Sequence, residues 1–275
     1  VAVSLFGCAS NDSDTDPPAT GATSTTTAAP PTTIDESAPV VVLVHGSFHT
    51  PEATWIALTP VLDERGIEWA TVDLPSAGPE ASNGMSVPGL DDDAAAMSDV
   101  IEQVDGPVVL VGHSYGGFVI SQAGDDPRVR HLVYLCAFAP ARGETLMELS
   151  QSDPPTLLAS ALRVDNDLMS VDPQLATEAL YADVEHGLAS AAVAELVPST
   201  LRTLEQPANE PAWRSTPSRY VICTKDQALN PNRQREMAER IGTSTLELDT
   251  SHSPFLSQPE AVADLIEEVL NQLTN

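Results

Sequence analysis

Positive charge is scarce in this chain. Lys225 is the only lysine among 275 residues, and 12 Lys and Arg together face 40 Asp and Glu, for a formal charge of -28. So acidic a surface repels phosphate backbones and anionic headgroups, which disfavours nucleic acid and a charged membrane surface as partners. It suits a strongly hydrated protein, as in a saline habitat; a GC-rich genome would also favour arginine over lysine. Cysteine is equally sparse. Cys8, Cys136 and Cys223 form an odd set, which is no disulfide framework. Cys136 and Cys223 each sit inside an apolar run and read as small core residues. No Cys-x-x-Cys or Cys/His cluster has metal-ligand spacing, so no metal and no cofactor is expected. An initiator Met is lacking too, and a further piece is expected upstream.

The first residues are short and apolar and lead into Leu5-Phe6-Gly7-Cys8. That run resembles the lipobox of bacterial lipoprotein signals, with Phe6 where a small residue is commoner. The resemblance implies lipid on Cys8 and an extracytoplasmic, membrane-anchored protein; a truncated secretory signal is the alternative. Residues 9–38 are rich in Thr, Ala, Pro and Ser and nearly free of large apolar side chains. Such a segment cannot bury enough surface to offset its ordering entropy, so residues 1–38 read as signal remnant and disordered tether.

Beyond it the chain is apolar enough (42% overall) to bury a substantial core. Val40 to Val44 is a wholly apolar strand, suited to the centre of a parallel sheet. A periodic helix runs from there through Trp55, Leu58 and Leu62 to Gly66. Strands around Glu68–Val72, Val108–Val111, Val129–Phe138, Arg219–Cys223 and Ser244–Leu248 alternate with helices, including Leu90 to about Gly106 and Pro259–Leu273. That alternation predicts an α/β fold with a mostly parallel sheet covered on both faces. Residues 140–213 break the rhythm, with helical patches, many prolines and no convincing buried strand. They read as a cap inserted into a core of 39–139 and 214–275. In such sheets ligands bind beyond the carboxyl ends of the strands.

One stretch organises the rest. Val108-Val109-Leu110-Val111 stops at Gly112-His113-Ser114-Tyr115-Gly116-Gly117, and Phe118-Val119-Ile120 follows at helical spacing. Strand, sharp turn and helix with a serine at the apex make a nucleophile elbow. A serine hydroxyl needs a base, and the base needs a carboxylate to hold its tautomer. Of the histidines after Ser114, His131 lies at a strand's amino end and His186 in the cap. His252 follows the last strand at its carboxyl end and is the expected base. Asp226 directly follows strand 219–223 and is the expected acid; Glu247 and Asp249 are too near His252 on one strand. The backbone N–H groups of Ser47 and Tyr115 are the expected oxyanion donors. His45 and His113 read as residues bracing those turns. Leu146, Met147, Leu180, Tyr181 and Trp213 are candidates for the pocket wall.

His45-Gly46-Ser47, Asp73-Leu74-Pro75, Gly112 to Gly117, Leu132 to Leu135, Cys223 to Asp226 and Ser251-His252-Ser253-Pro254-Phe255 together resemble the α/β-hydrolase superfamily. The likeness is to its branch of small carboxylesterases, plant methylesterases of the salicylate-binding type and hydroxynitrile lyases. It spans about residues 39–275. It implies Ser114, Asp226 and His252 as a triad, Ser47 and Tyr115 as oxyanion donors, and a small-molecule ester as substrate, with no cofactor. Lyases of that branch carry Thr after the first histidine and Lys after the catalytic one; here Gly46 and Ser253 stand there. The expected activity is therefore carboxylic ester hydrolysis. A lyase or other non-hydrolytic enzyme, or a ligand-binding protein on the same frame, is the alternative.

Overall fold

The computed structural model describes residues 38–78, 81, 87–151 and 154–273. Cys8 and the tether up to residue 37 lie outside the described residues. Strands β1 (Val40–Val44), β2 (Trp69–Val72), β3 (Val108–His113) and β4 (Val129–Leu135) belong to a main sheet. Next come β5 (Leu162–Asp165), β6 (Leu168–Val171) and β7 (Ser199–Thr200), which form a small antiparallel sheet of their own. The main sheet is completed by β8 (Ser218–Cys223) and β9 (Ser244–Leu248). Its order is β2-β1-β3-β4-β8-β9, and every neighbouring pair is parallel.

The strands are apolar on both faces because both faces are covered. Along β1, Val42 and Val44 join one buried cluster with Met97, Ile101 and Phe118. Val41 and Leu43 point the other way, into a cluster with Trp55, Leu62 and Ile266. The helices that supply this cover are α1 (Pro51–Trp55), α2 (Thr59–Glu64), α3 (Leu90–Gln103) and α4 (Gly116–Ala123). After β4 follow α5 (Leu146–Ser150), α6 (Leu157–Ala161), α7 (Pro173–Leu180), α8 (His186–Ala194) and α9 (Arg202–Glu205). The core then closes with α10 (Pro231–Ile241), α11 (Pro254–Ser257) and α12 (Pro259–Leu273). In α12, Val262, Leu265, Ile266 and Val269 are buried, the spacing of a single apolar stripe. Among the described residues no helix is long and apolar enough to cross a membrane.

Three readings are corrected. The helix expected from Trp55 to Gly66 is two, α1 and α2, because Pro60 has no N–H to donate and is tolerated only in the first turn of a new helix. Residues 140–213 do contain strands. β5 and β6 form a hairpin about Asn166, whose φ is 52°, and β7 adds to β6. Cys136 and Cys223 are not independent core residues. Cys136 directly follows β4 and Cys223 ends the neighbouring β8, and the two are joined in a disulfide, with Cα atoms 5.6 Å apart.

The register of the main sheet decides where chemistry collects. Val44 lies beside Gly112, Gly112 beside Tyr134, Leu135 beside Val221, and Cys223 beside Leu248. The loops leaving β1, β3, β8 and β9 therefore emerge side by side at one edge.

Candidate active site

Ser114 occupies the apex between β3 and α4 with φ 52°, a left-handed conformation that a non-glycine residue adopts only when its surroundings impose it. Two close approaches impose it here. A side chain at Gly116 would strike the carbonyls of Val44, the last residue of β1, and of His45 just after it. A Cβ at Gly46 would lie 2.8 Å from the Cβ of Ser114 itself. The turn is closed by Gly117 N–H and Phe138 N–H, which donate to the Ser114 carbonyl at 3.1 and 3.0 Å.

His252 and Asp226 meet from two different loops. His252 Nδ1–H donates to Asp226 Oδ2 at 2.7 Å, and their side chains are 2% and 0% exposed. Asp226 accepts three further hydrogen bonds, from the N–H groups of Ala228 and Leu229 on Oδ1 and from Gln234 Nε2 on Oδ2. A carboxylate so surrounded is held in place before anything binds. The two loops are also tied to each other. Lys225 pairs with Asp249 at 2.8 Å, and the Thr224 hydroxyl donates to the same carboxylate. Ser251 is held by Asp183 and by the Leu180 carbonyl.

His113 and His45 brace their turns. His113 Nε2–H donates to the backbone carbonyl of His252 at 2.9 Å, and the two rings lie 4.6 Å apart. Burial, then the neighbouring His252 and His49, hold the His113 pKa well below that of an ordinary histidine. His45 Nδ1–H donates to the Gly46 carbonyl, and its Nε2 accepts from Leu74 N–H. His131 is buried on β4 near its amino end, and His186 opens the exposed start of α8. Neither reaches this edge.

Ser47, His49, Ser114, Tyr115 and His252 line the polar end of one cavity; Phe138, Leu146, Leu158, Met169 and Leu180 form part of its apolar wall. Residues of the insertion thus share this cavity with Ser114. Of the expected wall residues, Leu146 and Leu180 line it. Met147 is largely solvent-exposed, and Trp213 turns away to donate to the Pro140 carbonyl. Tyr181 instead donates from its hydroxyl to His49 Nε2 at 2.8 Å. His49 Nδ1–H donates to the Ser47 carbonyl, so its tautomer is fixed, and burial lowers its pKa to about 3. Among the described residues the cavity lining contains no Asp, Glu, Lys or Arg. Among the described residues no group of three or more His, Cys, Asp or Glu could hold a metal ion.

Comparison with known proteins places this geometry. Residues 41–265 match the model of the α/β hydrolase family. The chain belongs to that family. An α/β hydrolase of Aspergillus novofumigatus is 30% identical to it over 83% of this chain and 95% of that protein. Methylesterase 1 of Arabidopsis thaliana is 25% identical over 81% and 92%. The solved structure of a pyrethroid hydrolase from Sphingobium faniae superposes with a TM-score of 0.75 at 23% identity, covering 86% of this chain and 98% of that one. The last likeness speaks for the α/β-hydrolase fold.

Two residues of this α/β hydrolase escaped the sequence reading. Gln234 is fully buried in the first turns of α10 and reaches back to Asp226 and to Cys223 N–H. Asp93 follows Asp91 and Asp92 in the first turn of α3, where acids suit the helix dipole. It is instead fully buried and accepts from the Ser76 N–H and hydroxyl and from the Tyr115 hydroxyl. Neither carries a local pattern; for Asp93 the only hint is a third carboxylate where two already serve the helix end.

Proposed function

We propose that this α/β hydrolase is a serine esterase acting on uncharged carboxylic esters through an acyl-enzyme. The observation that carries the reading is the 2.7 Å contact of His252 Nδ1 with buried Asp226, on the cavity that Ser114 also lines. With Nδ1–H committed to Asp226, Nε2 is the ring nitrogen left to take a proton. Ser114 Oγ attacks the ester carbonyl as His252 accepts its proton. The Ser47 and Tyr115 N–H groups hold the oxyanion. His252 protonates the departing alkoxide, and the acyl group stays on Ser114. Water then attacks the acyl carbon, again with His252 as base, which releases the acid and restores the hydroxyl.

A lining without Asp, Glu, Lys or Arg among the described residues supports an uncharged substrate, since a buried charge without a partner is strongly disfavoured. The esterases and hydrolases among the relatives support the reaction class. Ser253, where the related lyases carry Lys, supports hydrolysis over cyanide release. Lipid on Cys8 and an extracytoplasmic location are proposed from the sequence alone. The test of function is turnover of p-nitrophenyl esters from acetate to decanoate by the wild type and by Ser114→Ala. Turnover by the wild type alone supports the esterase. Equal turnover by both removes Ser114 from the reaction, and none by either favours a binding protein or a non-hydrolytic enzyme.

A further inference from the structure

The residue after Ser47 is held in an unusual way. Phe48 has φ 70°, a left-handed conformation for a bulky side chain. Its N–H donates to Ser199 Oγ at 2.8 Å, and its carbonyl accepts from Val197 N–H at 3.0 Å. Its ring is buried among Ala161, Met169, Val171 and Ala176, all from the insertion. The peptide unit between Ser47 and Phe48 is thus pinned at both ends: His49 Nδ1 donates to its oxygen at 2.6 Å, and Ser199 accepts from its nitrogen. With that plane fixed and Gly46 pressed against Ser114, the Ser47 N–H has little freedom of direction.

A second line starts from the same short strand. Thr200 N–H donates to the Ser76 carbonyl at 2.9 Å. Ser76 donates its own N–H and hydroxyl to Asp93, at 2.9 and 2.6 Å. Tyr115 Oη–H donates to the same carboxylate at 2.7 Å. Ser76, Asp93, Tyr115, Ser199 and Thr200 are all at most 2% exposed. Strand β7 is paired to β6 of the insertion and bridged to Ala77 of the core. It is therefore connected by two separate hydrogen-bonded routes, one to the peptide that follows Ser47 and one through Ser76 and Asp93 to the Tyr115 hydroxyl.

We propose that β7 sets the oxyanion hole, with Ser199 as the positioning residue for the Ser47 donor and Asp93 as the positioning residue for the Tyr115 donor. The inference rests on the esterase reading. Its consequence is that the insertion assembles part of the catalytic machinery as well as covering the pocket. A change in where β7 sits would alter transition-state stabilisation through these two hydrogen-bonded routes.

The test uses the full chain with p-nitrophenyl butyrate as substrate and two inhibitors of one shape. An alkyl trifluoromethyl ketone adds to the nucleophile and forms an oxyanion; the matching methyl ketone binds without one. Ser199→Ala and Asp93→Asn should each lower kcat about 10- to 100-fold with KM unchanged, a fraction of what losing a whole donor removes. Affinity for the trifluoromethyl ketone should fall by the same factor and that for the methyl ketone should hold. Ser199→Thr, which restores the acceptor, should recover kcat. Should Ser199→Ala fold poorly, Ser199→Cys keeps the volume with a weaker acceptor and should lie between. Wild-type kcat in both variants overturns the coupling, and so does an equal loss of affinity for both ketones, which would mean general loosening of the pocket. A wild type that neither turns over esters nor is labelled by a fluorophosphonate removes the esterase reading beneath it.

Discussion

Gln234 Nε2 and His252 Nδ1 meet on the same oxygen of Asp226, at 2.8 and 2.7 Å. The amide also holds the Leu229 carbonyl and, through Oε1, the Cys223 N–H. It fixes the acid loop from behind while the histidine approaches from the front. Replacing it as Gln234→Leu strands several buried polar groups. The expected loss is about 1–3 kcal/mol of stability for each group left unpaired and about 10- to 100-fold in kcat from a misplaced acid. Urea unfolding and steady-state kinetics check both; unchanged kcat would remove Gln234 from the support of the site.

That residue marks the limit of what the sequence discloses. The elbow, the sheet and the loops bearing Ser47, Asp226 and His252 announce themselves through local pattern: an apolar run, glycines at fixed offsets, a histidine just past the last strand. Gln234 and Asp93 act through contacts that no spacing encodes. Asp93 meets Tyr115 across 22 positions, and Cys136 meets Cys223 across 87. The hairpin β5–β6 did leave a trace, the Asp165-Asn166-Asp167 turn. β5 is mostly exposed and β6 buries only Met169 and Val171 of four residues, too short a run of alternation to identify a strand.

Asp93 makes a pH-dependent contribution. Burial, against the hydrogen bonds from Ser76 and Tyr115, pushes its pKa from 3.8 up to about 6, with Asp92 adding repulsion. A carboxyl raised on folding stabilises fully below its unfolded value, and that contribution is lost as pH rises through 6. The change corresponds to about 3 kcal/mol. The stability of wild type relative to Asp93→Asn should therefore fall between about pH 4 and 7 in urea titrations. A difference that stays constant over that range would contradict it.

The cavity should discriminate by charge. Among the described residues its lining holds no Asp, Glu, Lys or Arg, His49 is held neutral, and the whole chain bears -28. An ester whose acyl chain ends in carboxylate should have kcat/KM at least about 100-fold below its uncharged counterpart, a few kcal/mol of unpaired burial. Comparing p-nitrophenyl butyrate with p-nitrophenyl hemisuccinate measures this, and equal values would place an unseen cation at the site.

The disulfide joins β4 to β8 just below the elbow and the acid loop. Closing a loop between residues 136 and 223 in the unfolded chain is worth about 4.6 kcal/mol on the chain-entropy model. Unreduced digests should contain the two cysteine peptides linked, and Cys136→Ala with Cys223→Ala should lower Tm. Alkylation of both thiols in the unreduced, unfolded protein would rule the bond out.

The central claim is that Ser114 is the nucleophile, and peptide mapping after fluorophosphonate labelling tests it most directly. The expected result is a single adduct on the Ser114 peptide, absent in Ser114→Ala and formed far more slowly in Asp226→Asn, by about 10⁴-fold if the acid sets the histidine tautomer. An adduct on another residue, or esterase turnover that survives in Ser114→Ala, would contradict it.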